Sequence, residues 1–341
     1  MNNNKENNIN KIDIVILWVD DQDKKWLEKK KKWQKEYGIT DNQDERYRNW
    51  DNLQFLFRSV EKYASWVNQI YLVTDDQVPS WMRLDNNNIT IIDHTEIMDN
   101  KYLPTFNSSA IELNLHKIPG LSENFIYFND DMFILDYVQP EDFFENGKPK
   151  EMAALNLIMP SKIHRSRRVM FNNLTLINDT FNKKDTLKNK PFNWINYKHG
   201  FQQVIRTLLL LPWSEFSNFK QTHLPASHNK STYEQIWEKY GNELEKSSSY
   251  RFRSLNNYNQ WLIKDWQLAS NNFVPQKLNF GKVYQLNNNN SVEKCAQHIK
   301  NSKTKLICVN DTELLEDFSY AKNKINAELR LKFPEKSKYE L

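Results

Sequence analysis

The chain of 341 residues is long enough for one large domain or two ordinary ones, and its formal charge is +4. So small a basic excess does not call for nucleic acid, and no motif of interleaved basic and aromatic residues is evident. Two cysteines, Cys295 and Cys308, are too few for a disulfide framework and fit a reducing compartment. The Asn-rich residues 1–10 are expected to be disordered and lack the apolar core of a signal peptide. No stretch approaches the ~20 apolar residues of a membrane span, so we expect a protein that is soluble or attached to a membrane surface.

Strands and helices alternate in the first part of the chain. Residues 12–19 form an apolar run typical of a buried parallel strand, and residues 24–37 predict a helix that ends at Gly38. The further predictions, in order, are a helix over 46–64, strands over 70–74 and 89–92, a helix from Asn107 or Ser108 to His116, and a strand at 125–128. This order predicts an α/β fold with a mostly parallel sheet.

The sequence changes in character after about residue 150. Aromatic-rich helices are predicted over 193–211, 232–240 and 255–270, whereas the polar residues 172–190 predict a loop. A strand at 306–309 and a closing helix at 313–331 return to the α/β pattern. The predicted organisation is an α/β core at 11–150, a helical subdomain at 151–280, and a return to the core at 281–341.

One stretch has the composition of a ligand site, because the apolar run that begins at Phe125 leads directly into Asn129-Asp130-Asp131. Adjacent carboxylates at the end of a buried strand are costly unless something pairs with them, and a hard cation shared with substrate phosphates would do so. Acids follow other predicted strands too, and the carboxyl ends of parallel strands form the edge where ligands bind. The candidate metal- or phosphate-positioning acids are Asp20, Asp23, Asp130, Asp131 and Asp311. The alternative is that each of these clusters is an acidic turn.

With only 6 glycines the chain builds no glycine-rich phosphate loop, and no His/Cys cluster has zinc spacing. Phosphates would therefore be held by arginine, lysine, helix N-termini and an oxygen-bound metal. His223 lies in a Pro-containing loop and has the pKa range of a general base, while Arg251 and Arg253 offer paired donors to a phosphate. The alternatives are a structural histidine and a salt-bridging arginine pair at the surface.

Three further sets of residues have two interpretations each. Asn107 and Ser108 either cap a helix or also grip the sugar or phosphate of a donor. Arg58 either faces an anion or lies on the solvent face of its helix. Glu112 and His116 are four residues apart on a predicted helix, and the simple interpretation is that they pair with each other.

Four blocks in this order resemble the Stealth family of bacterial capsular polysaccharide phosphotransferases, which are related to the eukaryotic GlcNAc-1-phosphotransferase. The blocks are IDIVILWVDDQD at 12–23, a long block at 46–133 that contains LPTFNSSAIELNLHKIPG and FIYFNDDMF, THLPASHNK through SSSYRFRS at 222–254, and KLICVNDT at 305–312. The second block is long and specific. Departures from the family pattern are Asp21, where Gly is usual, and residues 48–51, where acids are common.

The resemblance implies a GT-A-like fold and transfer of a hexose-1-phosphate, GlcNAc-1-phosphate above all, from a UDP-sugar to a hydroxyl of a growing capsular polysaccharide, with release of UMP. By match to the motifs, His223 is the expected base and Arg253 the stabiliser of phosphoryl charge. Asp130, Asp131 and Asp311 are expected to hold Mg²⁺ or Mn²⁺, and Asp131 and Asp311 to act in catalysis. The substrate-binding residues that we predict are Asp20, Arg58, Asn107, Ser108 and Arg251.

The implied setting is the cytoplasm, with a peripheral position at the inner face of the plasma membrane and a capsule-assembly complex as partner. Two other functions stay open. A metal-dependent GT-A glycosyltransferase would use the same acids but release UDP, and a scaffold of capsule assembly would carry out no reaction.

Overall fold

The computed structural model describes residues 11–39, 48–159, 166–301 and 304–341. The predicted disorder of residues 1–10 lies outside this part of the chain.

A five-stranded sheet forms the centre of the fold. Its spatial order is β3-β2-β1-β4-β8; the first four strands are parallel, and β8 is antiparallel to β4. The predicted α/β class with a mostly parallel sheet is confirmed. The strands are β1 (Ile12–Leu17), β2 (Ile70–Thr74), β3 (Ile89–Asp93), β4 (Asn124–Asn129) and β8 (Ala226–Asn229).

Two smaller sheets complete the strand structure. One has the order β10-β11-β5, in which β10 and β11 are parallel and β5 is antiparallel to β11; the other has the order β6-β7-β9. Their strands are β5 (Met132–Ile134), β6 (Phe144–Glu145), β7 (Lys148–Glu151), β9 (Val274–Pro275), β10 (Gly281–Leu286) and β11 (Leu306–Asp311). Because β4 and β5 belong to different sheets, the Asp130-Asp131 pair between them lies where the chain leaves the main sheet.

Twelve α-helices are described. In chain order they are α1 (Lys24–Glu36), α2 (Leu53–Tyr63), α3 (His94–Ile97), α4 (Ser108–Glu112), α5 (Ser166–Thr180), α6 (Lys183–Asn189), α7 (Pro191–Trp194), α8 (Phe201–Leu210), α9 (Lys230–Ser248), α10 (Trp261–Ala269), α11 (Asn289–Asn301) and α12 (Phe318–Lys332). The division into three segments stays a prediction. One contact works against a separate middle unit, since β8 from that segment pairs with β4 of the main sheet.

The main sheet is covered on both faces. Ile14 and Ile16 of β1 pack into one core with α2, α11 and α12, whereas Val15 between them packs into a second core with α9 and α10. Successive side chains of a strand point to opposite faces, so a strand that is buried on both sides is apolar almost throughout. The run at 12–17 has this composition, and its one acid, Asp13, is itself buried.

The polar segment 172–190 is helical, so its prediction as a loop was wrong. Leu174 and Ile177 recur at helical spacing on α5 and are both buried. The side chain of Asn182 then caps α6, because it accepts hydrogen bonds from the main-chain N–H groups of Lys184 and Asp185. The many polar residues of this segment lie mainly on solvent-facing positions, and composition alone concealed a short apolar stripe.

Several predicted helix bounds also differ from the structure. The helix predicted over 46–64 begins at Leu53 in the described part of the chain, after Asn52 as N-cap. The helix predicted over 193–211 is interrupted, because α7 ends at Trp194, a 3₁₀ turn follows at Tyr197–His199, and α8 begins only after Gly200, whose φ of +81° is open to glycine but not to a helix.

Two buried histidines make the stability of the fold depend on pH. His228 packs between the rings of Phe125 and Tyr233, and His116 stacks on Tyr233 with ring centroids 5.5 Å apart. Burial lowers the pKa of each from 6.5 to about 3. At these two positions the unfolded chain therefore binds protons below pH 6.5 that the folded chain does not, so the contribution of the two histidines to the free energy of unfolding falls as the pH is lowered.

We expect this loss to reach roughly 3 kcal/mol for the two histidines together between pH 6.5 and pH 5. Urea unfolding at pH 8, 6.5 and 5 measures it, and the loss from this source between pH 8 and 6.5 should stay below about 1 kcal/mol. A His116→Phe/His228→Phe variant keeps ring packing but has nothing to protonate at these two positions, so the difference in unfolding free energy between the wild-type chain and the variant should shift by roughly 3 kcal/mol over the same range. An unchanged pH dependence in that variant would contradict the assignment.

Candidate active site

The acid pair Asp130-Asp131 follows the carboxyl end of β4 directly. The register of β4 against β1 aligns Asn129 with Leu17, so the residues that follow these two strands emerge side by side at one edge of the sheet. The main-chain carbonyl of Asp131 accepts a hydrogen bond of 2.8 Å from Val309 N, which ties the acid pair to β11. The sheet thus gives the acid pair a fixed backbone frame.

His223 reaches this acid pair from the loop before β8. Its Nε2 lies 3.7 Å from Asp131 Oδ2 and 3.4 Å from Asn129 Nδ2, and one-third of its side chain is exposed. Burial lowers the pKa of His223, but the nearby Asp131 carboxylate and the charge of Glu112 outweigh burial and raise it overall. The structure therefore brings together two of the residues that the sequence singled out.

A set of buried, hydrogen-bonded side chains contacts Asn129, the neighbour of His223. Tyr127 Oη donates a hydrogen bond of 2.6 Å to Asn129 Oδ1 and lies 3.3 Å from Glu112 Oε1. Glu112 Oε2 accepts from Gln260 N at 3.2 Å. Burial raises the pKa of Glu112, and the charges of Arg253 and His223 act against that rise. Glu112 thus belongs to the same electrostatic cluster as His223.

The sequence interpretation missed this role of Glu112. We expected Glu112 to pair with His116 on one helix, but α4 ends at Glu112 and His116 lies in a separate 3₁₀ turn over Leu115–Lys117. His116 stacks on Tyr233 instead. The tyrosine in the apolar centre of β4, residues 125–128, was the available signal, because a buried tyrosine hydroxyl needs a partner.

Asp131 carries the clearest sign of a missing partner. Its Oδ1 is buried and has no hydrogen-bond partner among the described residues, and its Oδ2 accepts from the thiol of Cys308 at 3.3 Å. Ligand atoms of Asp131, His223 and Cys308 lie within 4.8 Å of one another. A buried carboxylate oxygen without a partner, beside a second carboxylate, fits a bound cation.

Asp130 gives a second argument for a cation. No described cationic side chain forms an ion pair with it, and burial together with the charge of Asp131 raises the pKa of Asp130 to about 7. Two adjacent carboxylates both ionise readily only when positive charge is supplied. Burial also raises the pKa of the Cys308 thiol well above its usual value, which favours Cys308 as a hydrogen-bond donor to Asp131 over a metal-bound thiolate.

Arg253 stands at the rim of this cluster. Its Nη2 donates a hydrogen bond of 2.8 Å to Ser108 Oγ, the first residue of α4. Its charge acts on both Glu112 and His223. Arg253 also lines an open cavity of about 460 Å³. Ser108 and Arg253, two predicted site residues, are thus in contact with each other.

Arg251 and Asn107, by contrast, are occupied in holding the chain together. Arg251 donates to the carbonyls of Pro104 and Lys101 at 2.8 and 3.1 Å, and it stacks over Trp33 of α1. Asn107 is fully buried, and its Nδ2 donates to Tyr250 O at 2.8 Å. Both side chains fix the loop that carries Arg253, and neither is directed at the acid pair by a described contact.

The remaining predicted residues have partners of their own. Arg58 forms a two-point ion pair with Glu340, at 2.8 and 2.6 Å, so the structure does not bring it to the cluster. Asp311 lies 3.4 Å from Arg48 Nη1. Asp20 accepts from Asn49 Nδ2 at 3.1 Å, and Asp23 caps α1. Asp20 still follows β1 at the edge of the main sheet that holds the acid pair, whereas Asp311 is the last residue of β11, in the smaller sheet that also contains β5.

The loop that carries His223 rests on a buried ion pair that the sequence did not reveal. Lys264 Nζ lies 3.0 Å from Glu151 Oε2 and donates to Thr222 Oγ1 at 3.3 Å. Gln221, the residue before Thr222, donates a hydrogen bond from Nε2 to Asp265 Oδ1. Because Lys264 and Asp265 are adjacent on α10, one helix holds both residues that precede His223. This contact set gives the histidine a defined position.

Comparisons with known proteins show the family of this chain. Residues 46–152 match the family described as Stealth protein CR2, conserved region 2. The capsular polysaccharide phosphotransferase WcwK of Streptococcus pneumoniae is 38% identical over 98% of this chain and 99% of its own length. The exopolysaccharide phosphotransferase cps2G of Lactiplantibacillus plantarum is 41% identical over 96% of each chain. The receptor polysaccharide phosphotransferase WefC of Streptococcus gordonii is 37% identical over 98% of this chain and 100% of its own.

Among solved structures, the galactosyltransferase LgtC in complex with donor and acceptor sugar analogues covers 95% of this chain and 98% of its own, at 8% identity and a TM-score of 0.41. That superposition is too distant to transfer residues or chemistry. The relatives at 37–41% identity extend along nearly the whole chain, and together with the matched region they show that it belongs to the Stealth family of polysaccharide phosphotransferases.

Proposed function

We propose that this enzyme transfers a sugar-1-phosphate, GlcNAc-1-phosphate in the first instance, from a UDP-sugar to a hydroxyl of a growing capsular polysaccharide, and releases UMP. The observation that carries the proposal is the contact between His223 and Asp131 beside Arg253. In this arrangement His223 is a proton acceptor, Asp131 is a carboxylate with an unpaired buried oxygen, and Arg253 supplies a guanidinium. Phosphoryl transfer requires these three kinds of group. The names of the relatives supply the polysaccharide as substrate class.

His223 acts as the general base. With its hydrogen on Nε2, the nitrogen that faces Asp131 3.7 Å away, His223 takes the proton of the acceptor hydroxyl on Nδ1. The hydroxyl oxygen forms a bond to the phosphorus nearest the sugar, and the bond from that phosphorus to the bridging oxygen breaks. The electron pair leaves with UMP, and the proton stays on His223.

Arg253 and the acids have the role of stabilising the negative charge of the phosphoryl group and the diphosphate. Arg253, oriented by Ser108, donates to the equatorial oxygens of the phosphoryl group as charge develops on them. Asp130 and Asp131 would hold a divalent cation, Mg²⁺ or Mn²⁺, which neutralises the diphosphate of the donor when bound. Asp20, after β1 of the main sheet, and Asp311, at the end of β11 next to Arg48, complete the donor side of the proposal.

The products of the reaction test this proposal. The chain is incubated with UDP-GlcNAc, Mg²⁺ and a capsule oligosaccharide, and UMP is resolved from UDP. We expect acceptor-dependent UMP that is abolished in Asp131→Asn and retained in His298→Ala, a histidine away from the acid pair. Acceptor-dependent UDP would assign the chain to the sugar-transferring glycosyltransferases. Failure to form either nucleotide from a panel of nucleotide sugars would favour the scaffold function.

A further inference from the structure

Helix α8 exposes most of its large apolar side chains, whereas a helix of a water-soluble domain usually buries them. Phe201, Ile205, Leu208 and Leu209 form one stripe, called here the α8 stripe, and all four are exposed. They follow the i, i+4, i+7, i+8 spacing and so share a face about 100° wide. Phe201 and Leu209 are 81% and 68% exposed, so little of either side chain is covered.

The residues that α8 turns inward are partly polar. Gln203, Thr207 and Leu210 are its buried residues. Thr207 Oγ1 accepts a hydrogen bond of 3.1 Å from Leu155 N, so the helix is fixed to the fold through a polar contact. An ordinary surface helix buries its apolar face and exposes the polar one. This reversal indicates that the α8 stripe has a partner outside the chain.

The sequence around α8 adds aromatic residues and positive charge. Phe192, Tyr197 and Trp213 flank the helix and are all exposed. Residues 186–214 contain no acid but four cationic side chains. These cations are Lys188, Lys190, Lys198 and Arg206. None of them forms an ion pair with another described residue.

We propose that the α8 stripe and its flanking cations dock this enzyme on an anionic lipid surface. Exposed aromatic and aliphatic side chains rimmed by lysine and arginine match the boundary between acyl chains and anionic headgroups. A second copy of the chain is a poor occupant, because self-pairing of this face would bring two sets of unpaired cations together. The helix lies on the surface and does not cross it, since its 10 residues span only about 15 Å. Among the described helices, none is both long and apolar enough for a bilayer.

Vesicle flotation of the full chain tests the proposal. One set of vesicles contains phosphatidylcholine alone, and the other contains phosphatidylcholine with one-third phosphatidylglycerol. We expect binding to the anionic vesicles that weakens as salt is raised. Phe201→Ser/Leu209→Ser should weaken it more than about ten-fold. Lys188→Gln/Lys198→Gln should weaken it by about five-fold for each cation removed.

Leu331→Ser is the matched control, because Leu331 lies on α12 and is 73% exposed. It should bind like the wild-type chain. The α8 variants change exposed side chains, so UMP release with a freely dissolved acceptor should be unchanged in them. A failure of the lipid-binding proposal can therefore be distinguished from a failure of the proposed reaction. No binding by the wild-type chain, or equal binding to both vesicle sets, would overturn the proposal. So would self-association that depends on Phe201 and Leu209.

Discussion

Replacement of His223 by alanine is expected to lower the rate of UMP release by roughly 10²- to 10⁴-fold, the usual contribution of a positioned general base. The imidazole lies 3.7 Å from Asp131 and is held by a loop whose preceding residues are fixed from α10. One-third of the side chain is exposed, so its removal leaves no large cavity in the core. The loss should appear in kcat, with the thermal midpoint nearly unchanged.

A double variant separates the role of His223 from that of Asp131. If the two act as one unit, Asp131→Asn and His223→Ala together should cost little more than the larger single effect. His298→Ala serves as the control for loss of a histidine. Wild-type kcat in His223→Ala, or two losses that simply multiply, would contradict a shared step.

Asp131→Asn has a second readout that does not depend on activity. The buried Oδ1 without a described partner is the atom that we expect a cation to contact. Binding of Mn²⁺ alone, followed by calorimetry, should weaken markedly in this variant, because an amide brings no charge to the site. Asp23→Asn is the matched control, since Asp23 caps α1 and takes no part in the cluster. Equal Mn²⁺ affinity in both variants would remove Asp131 from the proposed metal site.

The position of the acid pair was easier to predict from the sequence than the direction of the side chains in a loop. Strand ends followed by acids gave the location of Asp130 and Asp131, because parallel strands place their carboxyl ends on one edge. Apart from the family match, Arg251 and Arg253 were equal candidates for binding a phosphate, because only Phe252 separates them in the sequence. In the structure one holds main-chain carbonyls and the other reaches Ser108. Side-chain direction in an irregular loop has no period, so no sequence pattern distinguishes such a pair.

The residues that sequence reasoning missed act through long-range contacts. Glu112 reaches the site through Tyr127, and Lys264 reaches it through Thr222. Such contacts depend on how α4, β4 and α10 pack, which local periodicity does not encode. The same limit explains Arg58, whose carboxylate partner Glu340 comes from the last residues of the chain. The sequence places a charged residue on a helix but does not show which distant residue pairs with it.

Arg253 should show the second large effect. Arg253→Ala is expected to lower kcat by roughly 10³-fold or more, as loss of an arginine does where it stabilises a transferring phosphoryl group. Arg253→Lys keeps the charge but loses the planar fork, so it should recover only part of the rate. Ser108→Ala removes the 2.8 Å hydrogen bond that orients the guanidinium, and a loss of about 10- to 100-fold is expected.

Arg251→Lys is the matched control, because it makes the same change two residues away in a side chain that holds the carbonyls of Pro104 and Lys101. Its main effect should fall on the free energy of unfolding, whereas Arg253→Lys should leave stability unchanged and lower kcat. Steady-state kinetics and urea unfolding of the four variants separate the two roles. If Arg251→Lys lost activity without losing stability and Arg253→Lys kept full activity, the assignments of the two arginines would be reversed, and the phosphoryl group would bind on the other side of the loop.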